Sequence, residues 1–399
     1  MLSRREFLKS SSLLALAPSV PAFLAQTARA AEAKRDARVL VVLQLSGGND
    51  GINTVVPFFD EGYTRARKEL RLAADKVIKI NDTVGLHPAM GAAAKLLESG
   101  RLAIVQGVGY PNPSRSHEVS MAIWQTARFD PEEHKGYGWI GRALDTGAAP
   151  AGGAPAALRV GSDSPPVAIR ARKSTASALA DLSDYAMIDP QPPVAGTARV
   201  ANASDDVAAF IRRSALDAYT TAERLQDVSI RAAGAEKYPD TELARRLALV
   251  ARLIKSRFET PVYYVMQGGY DTHAVQLPTH ANLLRELSGG LLAFLDDLQA
   301  AGLAERVGVL AFSEFGRRVE ENGSLGTDHG TAGPVFLAGP AVNAGLIGTM
   351  PNLAELENGD PKMTTDFRQV YATVLSDWLG VPSAEVLGST FEPLPLFKS

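Results

Sequence analysis

Residues 38–51, RVLVVLQLSGGNDG, decide the fold of this chain. A continuous run of apolar, largely β-branched residues is typical of a strand that is buried on both faces, as in a parallel sheet. The glycine pair that follows indicates a tight turn. The sequence therefore predicts a buried parallel strand that presents Asn49 and Asp50 beyond its carboxyl end.

Four more apolar runs predict strands, at residues 102–106, 262–266, 307–312 and 335–338. Helical patterns over about 88–97, 242–256 and 282–300 separate several of them. Strands that alternate with helices favour βα units. The predicted fold class is therefore α/β, with a largely parallel central sheet flanked by helices.

The composition limits the class of protein. With 46% hydrophobic and 21% charged residues among 399, the chain is neither disordered, collagen-like nor a polytopic membrane protein. It contains no cysteine, which excludes disulfides, iron–sulfur clusters, thiolate metal sites and cysteine nucleophiles. Any metal must be bound by Asp, Glu, His, Asn or hydroxyl groups. A slight excess of acidic residues argues against nucleic acid as a partner.

The amino terminus has the pattern of an export signal. Residues 3–9, SRREFLK, resemble a twin-arginine motif, and a short apolar stretch and Ala28-Arg29-Ala30 follow. The apolar stretch is shorter than the roughly 20 residues that span a bilayer. We therefore expect residues 1–30 to be a cleaved signal peptide, with no integral membrane segment after cleavage and a periplasmic or otherwise exported product.

The rest of the chain, 31–399, is predicted to be a single domain with an insertion. Residues 147–157, GAAPAGGAPAA, have the composition of a linker. The region that follows is rich in Ala, Ser, Asp and Pro, with a helical pattern around residues 205–233. We interpret about 147–236 as an Ala/Pro-rich cap inserted on the sheet.

Chemically reactive side chains are concentrated at the predicted strand ends. They are Asp50, the group Ser114, Arg115, Ser116 and His117, the pair Asp271 and His273, the group Glu314, Arg317 and Arg318, and the pair Asp328 and His329. Each alone has an ordinary explanation, such as a turn residue or a helix cap. Ligands bind outside the carboxyl ends of the strands in open α/β sheets. Carboxylates and imidazoles at several such ends together indicate a site for one or two divalent ions, Zn or Mn.

The chain is similar, over about residues 1–390, to the exported family known as domain of unknown function 1501. The similarity rests on seven strings: QLSGGNDG, GLHPAM, VGYPNPSRSH, GGYDTHA, FSEFGRRV, ENGSLGTDHGTAGPVF and DFRQVYATVLSDWLG. The order of the motifs also resembles the alkaline phosphatase and sulfatase superfamily. That resemblance implies an alkaline-phosphatase-like sheet and an enzyme that hydrolyses phosphate or sulfate esters.

The superfamily resemblance also implies a set of metal ligands. Asp271, His273 and His329 match the ligands of one metal, and His280 is a further candidate for it. Asp50 and Glu314 match carboxylates of a second metal. Phe315 stands where the superfamily has a histidine, so the second metal lacks an imidazole ligand and is weak or missing.

The predicted catalytic group is Ser116, with His117 beside it and Arg115 or Arg317 for the oxyanion. Residues 111–115, PNPSR, resemble the sulfatase Cys-x-Pro-Ser-Arg motif, but Pro111 occupies its reactive position and excludes formylglycine chemistry. We therefore expect Ser116 to be a metal-activated nucleophile for a small-molecule or polymer-borne ester.

Two other functions remain open. The chain could be a non-catalytic periplasmic binding or assembly protein that retains the fold and one metal. Residues 47–50, GGND, also resemble the oxyanion block of SGNH esterases, although no nucleophilic serine precedes it and the Asp-x-His pair lies in mid-chain.

Overall fold

The computed structural model describes residues 38–147, 154–180 and 237–398. The predicted signal peptide, most of the predicted insertion and the helix expected around 205–233 lie outside these residues. The described residues from Val39 onward belong to one compact unit. The described part contains no helix that is long and apolar enough to cross a bilayer.

The described residues contain a central sheet of nine strands. The strands are β1 (Val39–Leu45), β2 (Leu102–Gly109), β3 (Ala157–Val160), β4 (Ala176–Leu179), β5 (Val262–Gln267), β6 (Val307–Phe312), β7 (Gly333–Ala338), β8 (Gly345–Ile347) and β9 (Thr365–Asp366). Their order is β8-β2-β7-β6-β1-β5-β3-β4, and β9 pairs with β2. All five predicted strands are confirmed.

The sheet is parallel except at β7. β1 lies between β5 and β6, with Leu43 in register with Val265 on one side and Ala311 on the other. β7 runs antiparallel to both β2 and β6. The predicted fold class, a largely parallel α/β sheet flanked by helices, is confirmed, and the reversal of β7 is an addition to it.

The described part of the predicted insertion contributes to the sheet. β3 pairs with β5, and β4 pairs with β3 at the edge, both in parallel. The segment interpreted as a cap therefore also extends the central sheet.

The helices cover both faces of the sheet. They are α1 (Gly51–Thr54), α2 (Glu61–Ala66), α3 (Gly91–Glu98), α4 (His117–Thr126), α5 (Trp139–Thr146), α6 (Glu242–Lys255), α7 (Gln276–Ala300), α8 (Phe367–Thr373) and α9 (Ser383–Leu387). Short 3₁₀ turns at Pro88–Met90, Glu133–Lys135, Val167–Ile169 and Ala304–Arg306 and a π-helical turn at Val374–Trp378 complete them. α7 begins six residues before the predicted start, because Pro278 lies in its first turn, where no backbone N–H is required.

Short strands lie outside the central sheet. Arg317–Glu321 and Thr327–His329 form an antiparallel pair, Leu356–Glu357 pairs with Asp360–Pro361, and Val55–Val56, Ile78–Lys79 and Gly85–Leu86 form a third group.

The core has two halves, one on each face of the sheet. Along β1, Val41 and Leu43 pack into one buried cluster, and Leu40 and Val42 into the other. This alternation with both faces buried is what a central parallel strand requires. It explains why residues 39–43 are apolar without interruption.

Candidate metal centre

The candidate site lies at one edge of the central sheet. β1, β2, β5 and β6 run in the same direction, so their carboxyl ends meet at this edge. Because β7 is reversed, its amino end lies there as well. The segments leaving β2 and β5 carry His117, Asp271 and His273, and the segment before β7 carries His329.

Three imidazoles converge on one carboxylate oxygen. The Nε2 atoms of His117, His273 and His329 lie 3.5, 3.1 and 3.1 Å from Oδ1 of Asp271. The two Nε2 atoms of His273 and His329 are 2.8 Å apart. His117, Asp271 and His329 each offer one ligand atom, and these three atoms lie within 4.8 Å of one another. The cluster is partly open to solvent, with the Asp271 side chain 48% exposed.

Each imidazole also has an oxygen acceptor at its other nitrogen. The Nδ1 partners are Glu314 Oε1 at 2.9 Å for His117, the Arg115 carbonyl at 2.8 Å for His329, and Asp328 Oδ1 at 3.4 Å for His273. An acceptor at Nδ1 favours the tautomer that carries its proton there. The Nε2 atom then presents a lone pair, as in metal-bound histidines.

This tautomer leaves three lone pairs directed at an anionic oxygen. Lone pairs and a carboxylate repel each other unless a cation lies between them. The donor set of three imidazole nitrogens and one carboxylate oxygen fits Zn²⁺ or a similar divalent ion. The chemistry of these residues therefore fits the expected metal.

The electrostatics of the cluster keep Asp271 ionised. Partial burial pushes its pKa upward, but the hydrogen bond and the charge of Arg317, together with the neighbouring imidazoles, outweigh this and hold the pKa at about 2. For His117, the hydrogen bond to Glu314 raises the pKa above its usual value, against the opposing effect of burial.

Arg317 connects the loops that form the site. Its guanidinium is fully buried and donates to Oδ1 of Asp271 at 2.7 Å. The same group donates to the carbonyls of Gly48 (2.7 Å), Thr327 (2.8 Å), Tyr270 (3.0 Å) and Gly47. Arg317 is therefore a structural anchor, and its burial removes it as the predicted oxyanion fork.

The two glycines after β1 allow this close packing. Gly47 has φ +123°, and a Cβ there would lie 2.4 Å from the backbone nitrogen of Asp271. Gly48 has φ +79°, and a Cβ there would lie 2.3 Å from the ring of Phe315. Both positions need glycine for space and for conformation.

Phe315 supports the imidazoles from one side. Its ring centroid lies 4.9 Å from that of His117 and 4.8 Å from that of His329. The residue that replaces the histidine of the superfamily pattern thus packs against two candidate ligands instead of binding a second metal.

Asp50 does not lie in the cluster. Its oxygens accept hydrogen bonds from Arg67 at 2.6 and 3.1 Å and from Gln276 at 2.5 Å, in a fully buried ion pair. Burial raises the pKa of Asp50, but the charge and hydrogen bonds of Arg67 hold it below the usual value. Asp50 was predicted to bind a second metal, and in the structure its carboxylate is paired with Arg67 instead of lying beside the imidazoles.

Glu314 has a different role from the predicted one. Its Oε1 accepts hydrogen bonds from the backbone of Gly47 and from His117, both at 2.9 Å. Its Oε2 accepts from Ser313 at 3.1 Å. Glu314, predicted as a metal ligand, thus orients the candidate ligand His117 from behind, whereas Asp50 pairs with Arg67.

The predicted nucleophile is the cap of a helix. The Ser116 hydroxyl is exposed at the start of α4 and accepts from the Val119 backbone at 3.5 Å. Within the described ranges, it makes no hydrogen bond to His117 or to another base. His117, predicted as its catalytic neighbour, instead lies in the imidazole cluster around Asp271.

The Arg115 side chain is bound to Asp360, to which Nε and Nη2 donate at 2.9 and 2.5 Å. His280 is also outside the cluster, since its Nε2 lies 2.9 Å from Oδ1 of Asn49. No motif in the sequence pointed to the partners Arg67 and Asp360, which lie 17 residues from Asp50 and 245 residues from Arg115.

Comparisons with known proteins identify a family. A family model described as Protein of unknown function (DUF1501) matches residues 37–389, as the sequence motifs predicted. A search of the curated proteins found no significant match.

Several solved structures are similar to the chain. A sulfatase from Pseudoalteromonas sp. is 11% identical with a TM-score of 0.38, over 90% of this chain and 70% of that one. Murine ectonucleotide pyrophosphatase/phosphodiesterase 5 in complex with AMP is 10% identical with a TM-score of 0.37, over 87% and 96%. The C-terminal periplasmic domain of EcEptC from Escherichia coli, in complex with Zn, is 9% identical with a TM-score of 0.37, over 75% and 72%.

Proposed function

We propose that this chain, which belongs to the family described as Protein of unknown function (DUF1501), is a metal-dependent hydrolase of phosphate or sulfate esters. The observation that carries the proposal is the convergence of three imidazole Nε2 atoms on Oδ1 of Asp271. His117, His329 and Asp271 would hold one divalent ion, with Zn²⁺ preferred, and His273, whose Nε2 lies 2.8 Å from that of His329, is a further candidate ligand. A bound ion would polarise the ester and lower the pKa of water at the site.

The side chains around this set have distinct roles. Glu314 and Asp328 orient His117 and His273 through Nδ1, and the Arg115 carbonyl does the same for His329. Such outer partners fix the tautomer that offers Nε2 to the ion.

Water is a better candidate nucleophile than Ser116. The Ser116 hydroxyl caps α4 and has no base within hydrogen-bond distance among the described residues. A serine nucleophile needs such a base or a metal to remove its proton. We therefore propose direct attack by water, without a covalent enzyme intermediate.

The test combines metal analysis with turnover. The full mature chain, purified without chelator, should contain about one equivalent of divalent metal by mass spectrometry. His273→Ala and His329→Ala should each lose the metal and the chelator-sensitive hydrolysis of a phosphate and sulfate ester panel. His134→Ala is the matched control, because His134 bonds to the carbonyl of Arg128 away from the cluster. A wild-type chain that takes up no divalent metal would refute the proposal.

A second candidate is a non-catalytic metal-binding protein. It is favoured by the Ser116 hydroxyl, which caps α4 and has no base within hydrogen-bond distance among the described residues. Metal-loaded protein that cleaves none of the esters, while His329→Ala still loses metal and thermal stability, would establish this alternative.

Export is part of the proposal and rests on residues 3–9, SRREFLK, and on Ala28-Arg29-Ala30. Replacing Arg4 and Arg5 together by Lys should retain the protein in the cytoplasm, because the pair is the recognition element of the twin-arginine pathway. Normal periplasmic delivery of the double variant in a fractionation experiment would contradict it.

A further inference from the structure

A buried glutamine joins the two segments that carry candidate metal ligands. Gln276 is the first residue of α7, and its side chain is buried. Its Oε1 accepts hydrogen bonds from the Thr272 hydroxyl at 3.1 Å and from the Thr327 hydroxyl at 2.7 Å. Its Nε2 donates to Oδ2 of Asp50 at 2.5 Å. One amide therefore bonds to the segment after β5, the segment before β7 and the segment after β1.

The partners of this amide determine its orientation. Asp50 forms a fully buried ion pair with Arg67, so its carboxylate is ionised and can only accept hydrogen bonds. The amide nitrogen of Gln276 must therefore face Asp50. The amide oxygen then faces Thr272 and Thr327, whose hydroxyls donate to it. All three partners are satisfied in this one arrangement.

The two threonines lie beside candidate metal ligands along the chain. Thr272 separates Asp271 from His273, and Thr327 lies two residues before His329. Thr272 is buried, whereas the side chains of Asp271 and His273 are 48% and 44% exposed and meet in the imidazole cluster. The backbone N–H of Thr327 donates to the carbonyl of Thr272 at 3.2 Å. Both segments are therefore bonded to each other and, through their buried side chains, to the glutamine.

The residue before Gln276 has a strained backbone. Val275 has φ +46°, in the left-handed region that a β-branched residue rarely adopts. Its N–H donates to the Ser324 carbonyl at 3.0 Å, and the N–H of Gln276 donates to the Leu325 carbonyl at 2.9 Å. Strain of this kind persists only where the surrounding structure imposes it, and it is frequent at functional sites. Here it is imposed by the loop that leads to Thr327.

We propose that Gln276 is a positioning residue that holds segments 271–273 and 327–329 in the arrangement a metal ion needs. Asp50 anchors it, so the buried ion pair of Asp50 supports metal binding without contacting the ion. The inference rests on the metal centre of the proposed function. Ligands that are fixed before the ion arrives lose less freedom on binding, and hydrogen bonds behind them therefore raise metal affinity.

The experiment compares Gln276→Met and Thr327→Val with the control Gln106→Met. Methionine and valine keep the approximate size of the side chain but lack the amide and the hydroxyl. Gln106 is a matched control because it is also buried and donates to the carbonyl of Gly348, not to a segment that carries a ligand. Zinc affinity is measured by competition titration. The visible absorption spectrum of Co²⁺-loaded protein reports the coordination geometry.

Gln276→Met should weaken zinc binding by about 10- to 100-fold, as the loss of partners behind metal ligands does. It should also change the Co²⁺ spectrum. Thr327→Val removes one of the two hydroxyl donors and should weaken zinc binding by about 3- to 10-fold. Gln106→Met should keep the wild-type affinity and spectrum even if its melting temperature falls, which separates positioning from general stability. Circular dichroism checks that each variant is folded, and Thr327→Val decides the question if Gln276→Met is not.

An exchange of the two polar groups tests the anchor. Gln276→Glu keeps an acceptor for the hydroxyls but places two carboxylates against each other, and should weaken zinc binding. Adding Asp50→Asn restores an amide that faces a carboxylate, with the net charge of the wild type. The double variant should therefore bind zinc more tightly than Gln276→Glu alone, and a weaker affinity than that of Gln276→Glu would contradict the anchoring role.

Hydrogen exchange on chelator-treated protein measures the same positioning without a metal. The amides of Val275, Gln276 and Thr327 bond across the two segments and should exchange about 10-fold faster in Gln276→Met than in the wild type. Unchanged zinc affinity in the folded Gln276→Met and Thr327→Val variants, or unchanged exchange, would overturn the inference. If the wild type binds no divalent metal, the proposed function fails, and the exchange rates alone decide the role of Gln276.

Discussion

Replacing His280 by Gln should flatten the acid dependence of the stability of this chain. His280 is 2% exposed, and its Nε2 lies 2.9 Å from Oδ1 of Asn49 and 3.4 Å from the Thr54 hydroxyl. Burial lowers its pKa from 6.5 to about 4, against the attraction of Asp50. The folded chain therefore holds this imidazole neutral down to low pH.

The direction of this pH dependence follows from the protonation of His280 in the folded and the unfolded chain. Between pH 6.5 and pH 4 the unfolded chain binds a proton at His280 that the folded chain does not. The free energy of unfolding therefore falls as the pH falls through this window. A pKa difference from 6.5 to about 4 corresponds to about 3 kcal/mol, present in full above pH 6.5 and lost by pH 4. His87, whose pKa burial lowers to about 4, acts in the same direction.

The assay is urea unfolding of metal-free protein at several pH values from 7 to 4. Chelator is present throughout, because protonation of metal ligands would add its own pH dependence. A glutamine amide can still donate to Asn49, so the variant should remain folded. Between pH 7 and pH 4, the free energy of unfolding of His280→Gln should fall by about 3 kcal/mol less than that of the wild type. His134→Gln is the control and should follow the wild-type curve. Parallel curves for wild type and His280→Gln would refute the reasoning.

Three further predictions concern the site and its support. Glu314→Gln keeps the shape but removes the charge behind His117, and should weaken zinc affinity by about 10- to 100-fold in a competition titration; unchanged affinity would exclude this orienting role. Ser116→Ala should cost about 1 kcal/mol of stability as a lost helix cap but keep turnover within a few-fold, whereas a loss of several orders of magnitude would restore Ser116 as the nucleophile. Gly48→Ala should destabilise the chain by about 1–3 kcal/mol, because φ is +79° and the added Cβ meets Phe315; an unchanged melting temperature would contradict it.

The strands that form the middle of the sheet could be predicted because their burial is visible in the sequence. β1 and β6 are buried on both faces, so each forms an apolar run that predicts a strand without knowledge of the neighbouring strands. β3 and β4 are four residues long in an Ala-rich region, which the composition indicated to be an inserted cap. The reversed direction of β7 leaves no mark on its residues, since parallel and antiparallel buried strands share the same apolar pattern.

The site could be predicted as a location but not as a set of roles. Asp271, His273 and His329 follow or precede strand ends, and the topology brings such ends together. Whether a carboxylate at that edge binds a metal or orients a ligand depends on shifts of a few ångströms. Glu314 and Asp50 both leave buried strands of the same edge, yet one bonds to His117 and the other to Arg67.

The buried arginines explain why these roles diverge. A carboxylate beyond the end of a buried strand must find a cation or hydrogen-bond donors, because an unpaired buried charge is costly. For Asp50 that cation is Arg67, which neutralises the carboxylate in a fully buried ion pair. For Asp271 it is Arg317, which bonds to Oδ1 from the buried side while the imidazoles approach the same oxygen. Arg317 alone cannot satisfy three converging Nε2 lone pairs, because it lies on one side of the oxygen and donates mainly to carbonyls. The Nε2 lone pairs and Oδ1 of Asp271 therefore still require a positive charge between them, and we propose that the metal ion lies there.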